Sequence, residues 1–199
     1  VGEGIADVAY YYEPLNYPEA STTLKVEMVN KDGKVVGGLE NCTIEKHNGY
    51  FLYNQTLPAG SYLLKVQLYS HNVLADGMIT AVKIFNGSTY KAQFFLSGNI
   101  GNSQGSINVS NSASNMMKCV VDKTAVTGTN KYNLVCTTTL LPKGYTEANL
   151  VYAWYKNGEL MPTSTTKTIE VTKTPAKIQY CCVVKTDKNG SWGSAKEYV

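Results

Sequence analysis

The fold is decided by the stretch Ile178-Gln179-Tyr180-Cys181-Cys182-Val183-Val184-Lys185. It is one of three runs of the second half that follow the two-residue period of a β-strand, in which successive side chains point to opposite faces. The two earlier runs are residues 132–140, which contain Cys136, and residues 150–156, which contain Trp154. A cysteine, a tryptophan and a second cysteine thus stand on three predicted strands of the second half.

The same two-residue period runs through nearly the whole chain, and no segment of ten or more residues has helical spacing. In the first half, residues 24–28 alternate up to Asp32-Gly33, a pair typical of a tight hairpin. Further strands are predicted at residues 5–12, 42–53, 63–69, 82–84 and 90–96. In the second half they are predicted at residues 118–121, 132–140, 150–156, 168–171, 178–185 and 192–199. We therefore predict an all-β chain.

A polar segment divides these strands into two groups. Residues 97–115 consist largely of Gly, Ser and Asn, which bury little apolar surface and are typical of a linker. We predict a β-sandwich at residues 1–98, a linker at 99–115 with a short strand near 107–109, and a second β-sandwich at 116–199. The linker is expected to set the reach and angle between the two sandwiches.

The second half resembles the immunoglobulin-like sandwich of bacterial and phage surface proteins. Cys136, Trp154 and Cys182 match the family's positions on strands B, C and F, and Tyr180 matches its tyrosine corner. The resemblance implies a candidate disulfide between Cys136 and Cys182, which needs an oxidising compartment. The alternative is that all five cysteines remain reduced and act as small buried hydrophobes.

The first half resembles transthyretin-like and carboxypeptidase-regulatory-like sandwiches of bacterial surface lipoproteins. The resemblance lies in the turn and strand start Leu57-Pro58-Ala59-Gly60-Ser61-Tyr62. It implies a second sandwich fold and carries no activity with it.

Charge and composition exclude several classes of function. The chain has 18 basic and 15 acidic residues, and every basic residue is a lysine, evenly spread. Without the guanidinium forks that recognise phosphates, a nucleic-acid partner is not expected. No apolar run approaches the ~18 residues that a membrane helix needs. The start at Val1, with neither an initiator methionine nor a leader, suggests a processed or truncated piece of a longer protein.

Candidate catalytic and metal motifs lack their context. Gly101-Asn102-Ser103-Gln104-Gly105 matches the nucleophile elbow, but no helix pattern comes after it and both histidines lie upstream. Glu45 and His47 share a strand face without a third ligand, so a surface histidine beside a turn is the simpler interpretation. We predict that the protein is not an enzyme and binds no cofactor or metal.

Tyrosine is the one surplus that suggests a binding surface, with 15 copies against four phenylalanines. A tyrosine ring stacks on apolar ligand faces while its hydroxyl forms hydrogen bonds, and few bonds must be frozen. The candidate ligand-stacking residues are Tyr10, Tyr11, Tyr12, Tyr50 and Tyr53. Alternation directs Tyr11 away from Tyr10 and Tyr12. The alternative is that most of these rings lie at the edge of the core.

Together these features predict non-catalytic binding or spacer modules of a secreted or surface-displayed bacterial protein, serving adhesion or ligand presentation. The expected partner is a protein or a carbohydrate at the cell surface. The alternatives are carbohydrate-binding modules of a polysaccharide-degrading system, a phage virion decoration or tail protein, and a fragment of a eukaryotic adhesion receptor. The expected location is accordingly extracellular, at the cell surface or in a virion.

Overall fold

The computed structural model describes residues 2–30, 32–36, 42–96, 117–141, 143–186 and 192–199. Within these ranges the chain forms fourteen strands and two single-turn 3₁₀ helices, so the all-β prediction is confirmed. The first seven strands are β1 (Glu3–Tyr11), β2 (Thr22–Asn30), β3 (Cys42–His47), β4 (Tyr50–Pro58), β5 (Gly60–Ser70), β6 (Val73–Ile84) and β7 (Thr89–Phe95). The other seven are β8 (Lys118–Ala125), β9 (Lys131–Leu140), β10 (Leu150–Lys156), β11 (Glu159–Met161), β12 (Thr168–Thr172), β13 (Gln179–Thr186) and β14 (Trp192–Tyr198).

Strands β1 to β7 form the N-terminal sandwich, in which the sheet β3-β4-β1-β7 faces the sheet β2-β5-β6. Strand β1 runs antiparallel to β4 and parallel to β7. The run at residues 42–53, predicted as one strand, is two strands because Gly49, with a φ of 91°, turns the chain between β3 and β4. Side chains such as Val8, Tyr10, Leu64 and Val66 are fully buried between the sheets.

Strands β8 to β14 form the C-terminal sandwich, in which the sheet β12-β9-β8 faces the sheet β11-β10-β13-β14. Trp154 stands opposite Cys182 in the pairing of β10 with β13 and is fully buried. Its indole Nε1 donates a hydrogen bond to the carbonyl oxygen of Thr166 at 2.8 Å, which satisfies its polar group. This strand order around a buried tryptophan is immunoglobulin-like, as the sequence predicts.

The two sandwiches are packed against each other through β6, which is an edge strand of its sheet. The amide of Ile79 donates to the Cys181 thiol at 3.5 Å, and the amide of Ala81 donates to the Ser194 hydroxyl at 2.9 Å. The unpaired amides of an exposed strand edge favour aggregation. Strands β13 and β14 cover this edge of β6. Cys181 and Val183 of β13 belong to the core of the N-terminal sandwich.

A buried polar cluster lies in this interface. The Tyr198 hydroxyl donates to Asp76 Oδ2 at 2.8 Å, and Gln179 Nε2 donates to Asp76 Oδ1 at 3.3 Å. Asp76 and Gln179 are both fully buried. Because a buried carboxylate is costly unless it is hydrogen-bonded, these contacts fix how the two sandwiches meet.

The domain bounds at 1–98 and 116–199 stay a prediction. The linker at 99–115, with its strand near 107–109, lies outside the described residues. What the structure adds is that the contacts of β6 with β13 and β14, rather than a linker alone, hold the angle between the sandwiches.

Candidate functional site

Four aromatic side chains cross the outer face of the sheet β3-β4-β1-β7. Strand pairing places His47 opposite Tyr50, Tyr50 opposite Tyr11, and Tyr11 opposite Phe95. All four side chains are partly exposed. Together these residues, one from each strand, form the aromatic row.

The rings of the row are in contact along its whole length. The His47 and Tyr50 rings are stacked, with centroids 4.5 Å apart and planes inclined by 13°. The Tyr50 and Tyr11 centroids are 5.8 Å apart at 36°, and those of Tyr11 and Phe95 are 6.4 Å apart at 17°. Directly opposed cross-strand pairs hold each other in place, and aromatic pairs do so strongly. The four rings are therefore held in a preformed arrangement.

The five tyrosines predicted to stack on a ligand divide between the two faces of this sheet. Tyr11 and Tyr50 lie in the aromatic row, and their role in binding stays a prediction. Tyr10, Tyr12 and Tyr53 are at most 2% exposed and cannot stack on a ligand in this fold. That part of the prediction is wrong because these three positions have the opposite parity and face the core.

The three buried tyrosines act as core residues. Burial raises the pKa of Tyr10 well above its ordinary value, with smaller contributions from neighbouring tyrosines, and burial also raises that of Tyr53. The Tyr53 hydroxyl donates to Gln55 Oε1, and that of Tyr12 donates to the His47 carbonyl oxygen at 2.7 Å. The latter bond fixes the backbone of the residue that begins the aromatic row.

Beyond the row, most of the side chains on the outer face are polar. The next positions across the four strands are Glu45, Leu52, Ala9 and Gln93, and the ones after them are Thr43, Asn54, Asp7 and Lys91. Glu45 Oε2 lies 3.5 Å from His47 Nε2, and Lys91 Nζ lies 4.0 Å from Asp7 Oδ2. The face thus combines a stacking platform with hydrogen-bonding groups of both charges.

Two members of the row, His47 and Phe95, escape the sequence analysis. His47 has the pattern of a surface histidine beside a turn, and Phe95 is one residue of an alternating run. The signal that joins them is the pairing order β3-β4-β1-β7, in which the last pair is parallel. No local pattern in the sequence encodes that order.

The cysteines of the C-terminal sandwich meet in its core. All five cysteines of the chain are thiols in this structure. Cys136 and Cys182 are fully buried in one hydrophobic cluster, and Cys119 packs against that cluster. The Cys136–Cys182 disulfide stays a prediction, with both residues in the same core. Cys181 points to the other face of β13 and enters the core of the N-terminal sandwich.

The described part of the chain holds no grouped set of metal ligands. It contains no group of three or more His, Cys, Asp or Glu side chains arranged to hold a metal ion. The nucleophile-elbow motif at 101–105 lies outside the residues that the structure describes. No helix in the described part of the chain has the length and apolar character needed to cross a bilayer.

No family model matches the sequence. No curated protein matches it. Among solved structures, the chain is similar to the ectodomain of mouse nectin-like molecule 4 at 10% identity and a TM-score of 0.29, covering 89% of this chain and 54% of that one. It is similar to bovine butyrophilin at 7% identity and a TM-score of 0.31, covering 98% of each chain. It is also similar to fibronectin(III)-like modules of Clostridium thermocellum CbhA at 13% identity and a TM-score of 0.25, covering 96% of this chain and 88% of that one.

The chain therefore spans about half the length of the nectin-like structure. None of these TM-scores reaches 0.5. The immunoglobulin-like character of the C-terminal sandwich lies in its strand order and in the buried Trp154 and Cys182.

Proposed function

We propose that this chain is a non-catalytic binding protein that holds a carbohydrate on its aromatic row. The observation that supports the proposal is the unbroken contact of four partly exposed rings across one sheet face. Sugars present apolar C–H faces that stack on such rings, and hydroxyl groups that bond to the polar edges. Tyr11 and Tyr50 offer both a ring and a hydroxyl.

The surroundings of the row favour a carbohydrate over an anionic polymer. Glu45 is exposed beside His47. Farther along the face Asn54 is uncharged and Asp7 is paired with Lys91, so the face has two carboxylates for this one ammonium group. Carboxylates repel phosphate groups but accept hydrogen bonds from sugar hydroxyls, and an extended glycan can run from the rings onto these polar groups. A nucleic-acid partner is accordingly not part of this proposal.

The setting that fits this role is extracellular or at a bacterial cell surface. A binding face built on the strands of a sheet is held more precisely than one built on loops. The immunoglobulin-like sandwich packed behind β6 supports the N-terminal sandwich from one side and leaves the aromatic row open. The protein would thus present a glycan-binding face on a rigid support of two sandwiches, in adhesion or in a polysaccharide-degrading system.

The test is a glycan array followed by titration calorimetry with the best ligand. Tyr11→Ala and Tyr50→Ala should each weaken binding by about two- to tenfold, because a ring contact is worth about 0.5–1.5 kcal/mol. Tyr145→Ala is the matched control, since Tyr145 is a partly exposed tyrosine of the C-terminal sandwich, remote from the row. Binding that is equal in all three variants, or an array on which no glycan binds, would refute the proposal.

A further inference from the structure

A cleft of about 370 Å³ opens between the two sandwiches. Met78, Ile79 and Thr80 of β6 form one wall, and Cys119 of β8 lies on the other beside strand β14. Cys119 is partly exposed, whereas Cys136 behind it is fully buried. Among the thiols of the C-terminal sandwich, that of Cys119 lines this cleft.

Three cysteines, Cys119, Cys136 and Cys182, lie between this cleft and the core of the C-terminal sandwich. Strand pairing sets Cys119 opposite Thr138 and Cys136 opposite Val121, so the two cysteines are diagonal neighbours on β8 and β9. Cys136 and Cys182, which stand on facing sheets, belong to one hydrophobic cluster against which Cys119 packs. Cys136 therefore has one neighbouring cysteine that is partly exposed and one that is buried beside Trp154.

This order creates a problem for disulfide formation in the folded protein. Cys136 and Cys182 are both 0% exposed, so an oxidant in solution meets neither sulfur directly. Thiol–disulfide exchange needs a thiolate that attacks a disulfide sulfur along an open path. Cys119 meets the requirement of access, and Cys136 is the thiol next to it.

We propose that Cys119 is the modification site through which a low-molecular-weight disulfide oxidises the core of the C-terminal sandwich. Cys119 attacks the reagent RSSR, forms a mixed disulfide and releases one RSH. Cys136 then attacks the Cys119 sulfur, forms a Cys119–Cys136 bond and releases the second RSH. Finally Cys182 attacks the Cys136 sulfur, forms the Cys136–Cys182 bond and returns Cys119 to the thiol. Two thiols lose two protons and two electrons, which reduce RSSR to two RSH.

Backbone geometry gives the relay its direction. Diagonal neighbours on adjacent strands are about 7–8 Å apart at Cα, which exceeds the separation of about 6.8 Å that an unstrained disulfide spans. The Cys119–Cys136 bond therefore requires β8 to shift, and β8 can do so as an edge strand with a register irregularity between Lys118 and Cys119. A strained bond is the more easily exchanged, so oxidation proceeds to Cys136–Cys182.

Thiol acidity makes the relay slow at neutral pH. The interaction with the Cys136 thiol, together with the smaller effect of burial, raises the pKa of Cys119 above its ordinary value. The pKa of Cys136 is also raised. Its interaction with the Cys119 thiol is the largest influence and lowers this pKa, but the interaction with the Cys182 thiol and burial together outweigh that effect. Because only the thiolate reacts, the rate should increase about tenfold per pH unit in alkaline solution.

The experiment uses 2,2′-dithiodipyridine, whose release of thiopyridone is read by absorbance, on the full chain carrying Cys42→Ser to remove a separate, partly exposed thiol. We expect two thiopyridones per chain and a Cys136–Cys182 peptide in non-reducing mass spectrometry. Addition of Cys119→Ser should slow the release at least tenfold. Addition of Cys136→Ser should give one thiopyridone and a stable adduct at Cys119.

A second measurement needs no substitution in the core. When the Cys42→Ser reaction is quenched early in acid, the first adduct should map to Cys119. A first adduct at Cys136, Cys181 or Cys182 overturns the proposal, as does a Cys119→Ser protein that forms the core disulfide at the rate of its parent.

Discussion

Replacement of Gly77 by alanine should drive the two sandwiches apart. Gly77 lies in β6, and a Cβ atom built on it would stand 2.1 Å from the carbonyl oxygen of Asn157 and 2.4 Å from its carbonyl carbon. Cβ contacts below 3.0 Å essentially never occur, so the turn at Asn157 must move by about 0.9 Å. Overpacking of this kind costs about 1–3 kcal/mol.

The turn that would have to move has little freedom to adapt. Asn157 and Gly158 both have positive φ angles, of 47° and 79°. The Asn157 carbonyl accepts a hydrogen bond from Gln67 Nε2 at 3.2 Å, and a shift of about 0.9 Å takes this pair out of hydrogen-bonding range. The amides of Ile79 and Ala81, which donate to Cys181 and Ser194, should then be less protected.

The assay compares Gly77→Ala with Gly60→Ala by thermal unfolding and by hydrogen exchange of β6. Gly60 is the matched control because it also lies in a strand, and its added Cβ would have no neighbour closer than 3.7 Å. A cost of about 2 kcal/mol should lower Tm by about 4–8 °C in a chain of this size. If Gly77→Ala melts like Gly60→Ala and β6 keeps its protection, the close packing of the turn on β6 is refuted.

Three further outcomes are expected. Tyr198→Phe removes a donor from buried Asp76 and should lower the free energy of unfolding by about 1–3 kcal/mol in urea titrations; a change near zero would contradict the role given to this hydrogen bond. Trp154→Ala should cost about 3–5 kcal/mol in the same assay, whereas Val151→Ala, at a 54% exposed position of the same strand, should cost little. Burial raises the pKa of Cys181 to about 11 and that of Tyr90 to about 12, so above pH 9 the unfolded chain loses protons that the folded chain retains. Stability that is complete below pH 9 should therefore fall between pH 9 and 12, and a flat Tm over that range would argue against the burial of these groups.

The two-residue period of the sequence predicts which side chains share a face of a strand, but it does not predict how strands pair across long distances. The parity of Cys181 and Cys182 is a direct consequence of alternation, as is the separation of Tyr11 from Tyr10 and Tyr12. The aromatic row could not be predicted, because it needs the register that sets His47 against Tyr50 and Tyr11 against Phe95. Odd and even positions of a strand face opposite sides of the sheet, but the sequence does not show which of the two sides is covered by the other sheet.

The interface shows the same limit in another way. Cys181 and Val183 alternate with core residues on β13, and an isolated immunoglobulin-like sandwich would expose them on its outer face. In the structure both are fully buried and belong to the core of the other sandwich. The sequence itself shows that the residues of β13 are apolar on both faces, with Cys182 and Val184 on one face and Cys181 and Val183 on the other. A strand that is apolar on both faces is covered on both sides.

The predicted domain bounds at 1–98 and 116–199 therefore do not separate the two hydrophobic cores, because Cys181 and Val183 belong to the core of the N-terminal sandwich. A fragment that ends at residue 98 would lose Cys181 and Val183 from the first core and leave the edge amides of Ile79 and Ala81 without their partners. It would also leave Asp76 without Gln179 and Tyr198, both of which bind its carboxylate in the intact chain. Because each of these losses carries its own free-energy cost, the N-terminal sandwich with its aromatic row depends on the C-terminal one for stability. The face proposed to bind glycan and the cleft proposed to admit disulfides are thus built on one folded unit. Two adjacent residues of β7 contribute to them, since Phe95 belongs to the aromatic row and Phe94 lines the cleft.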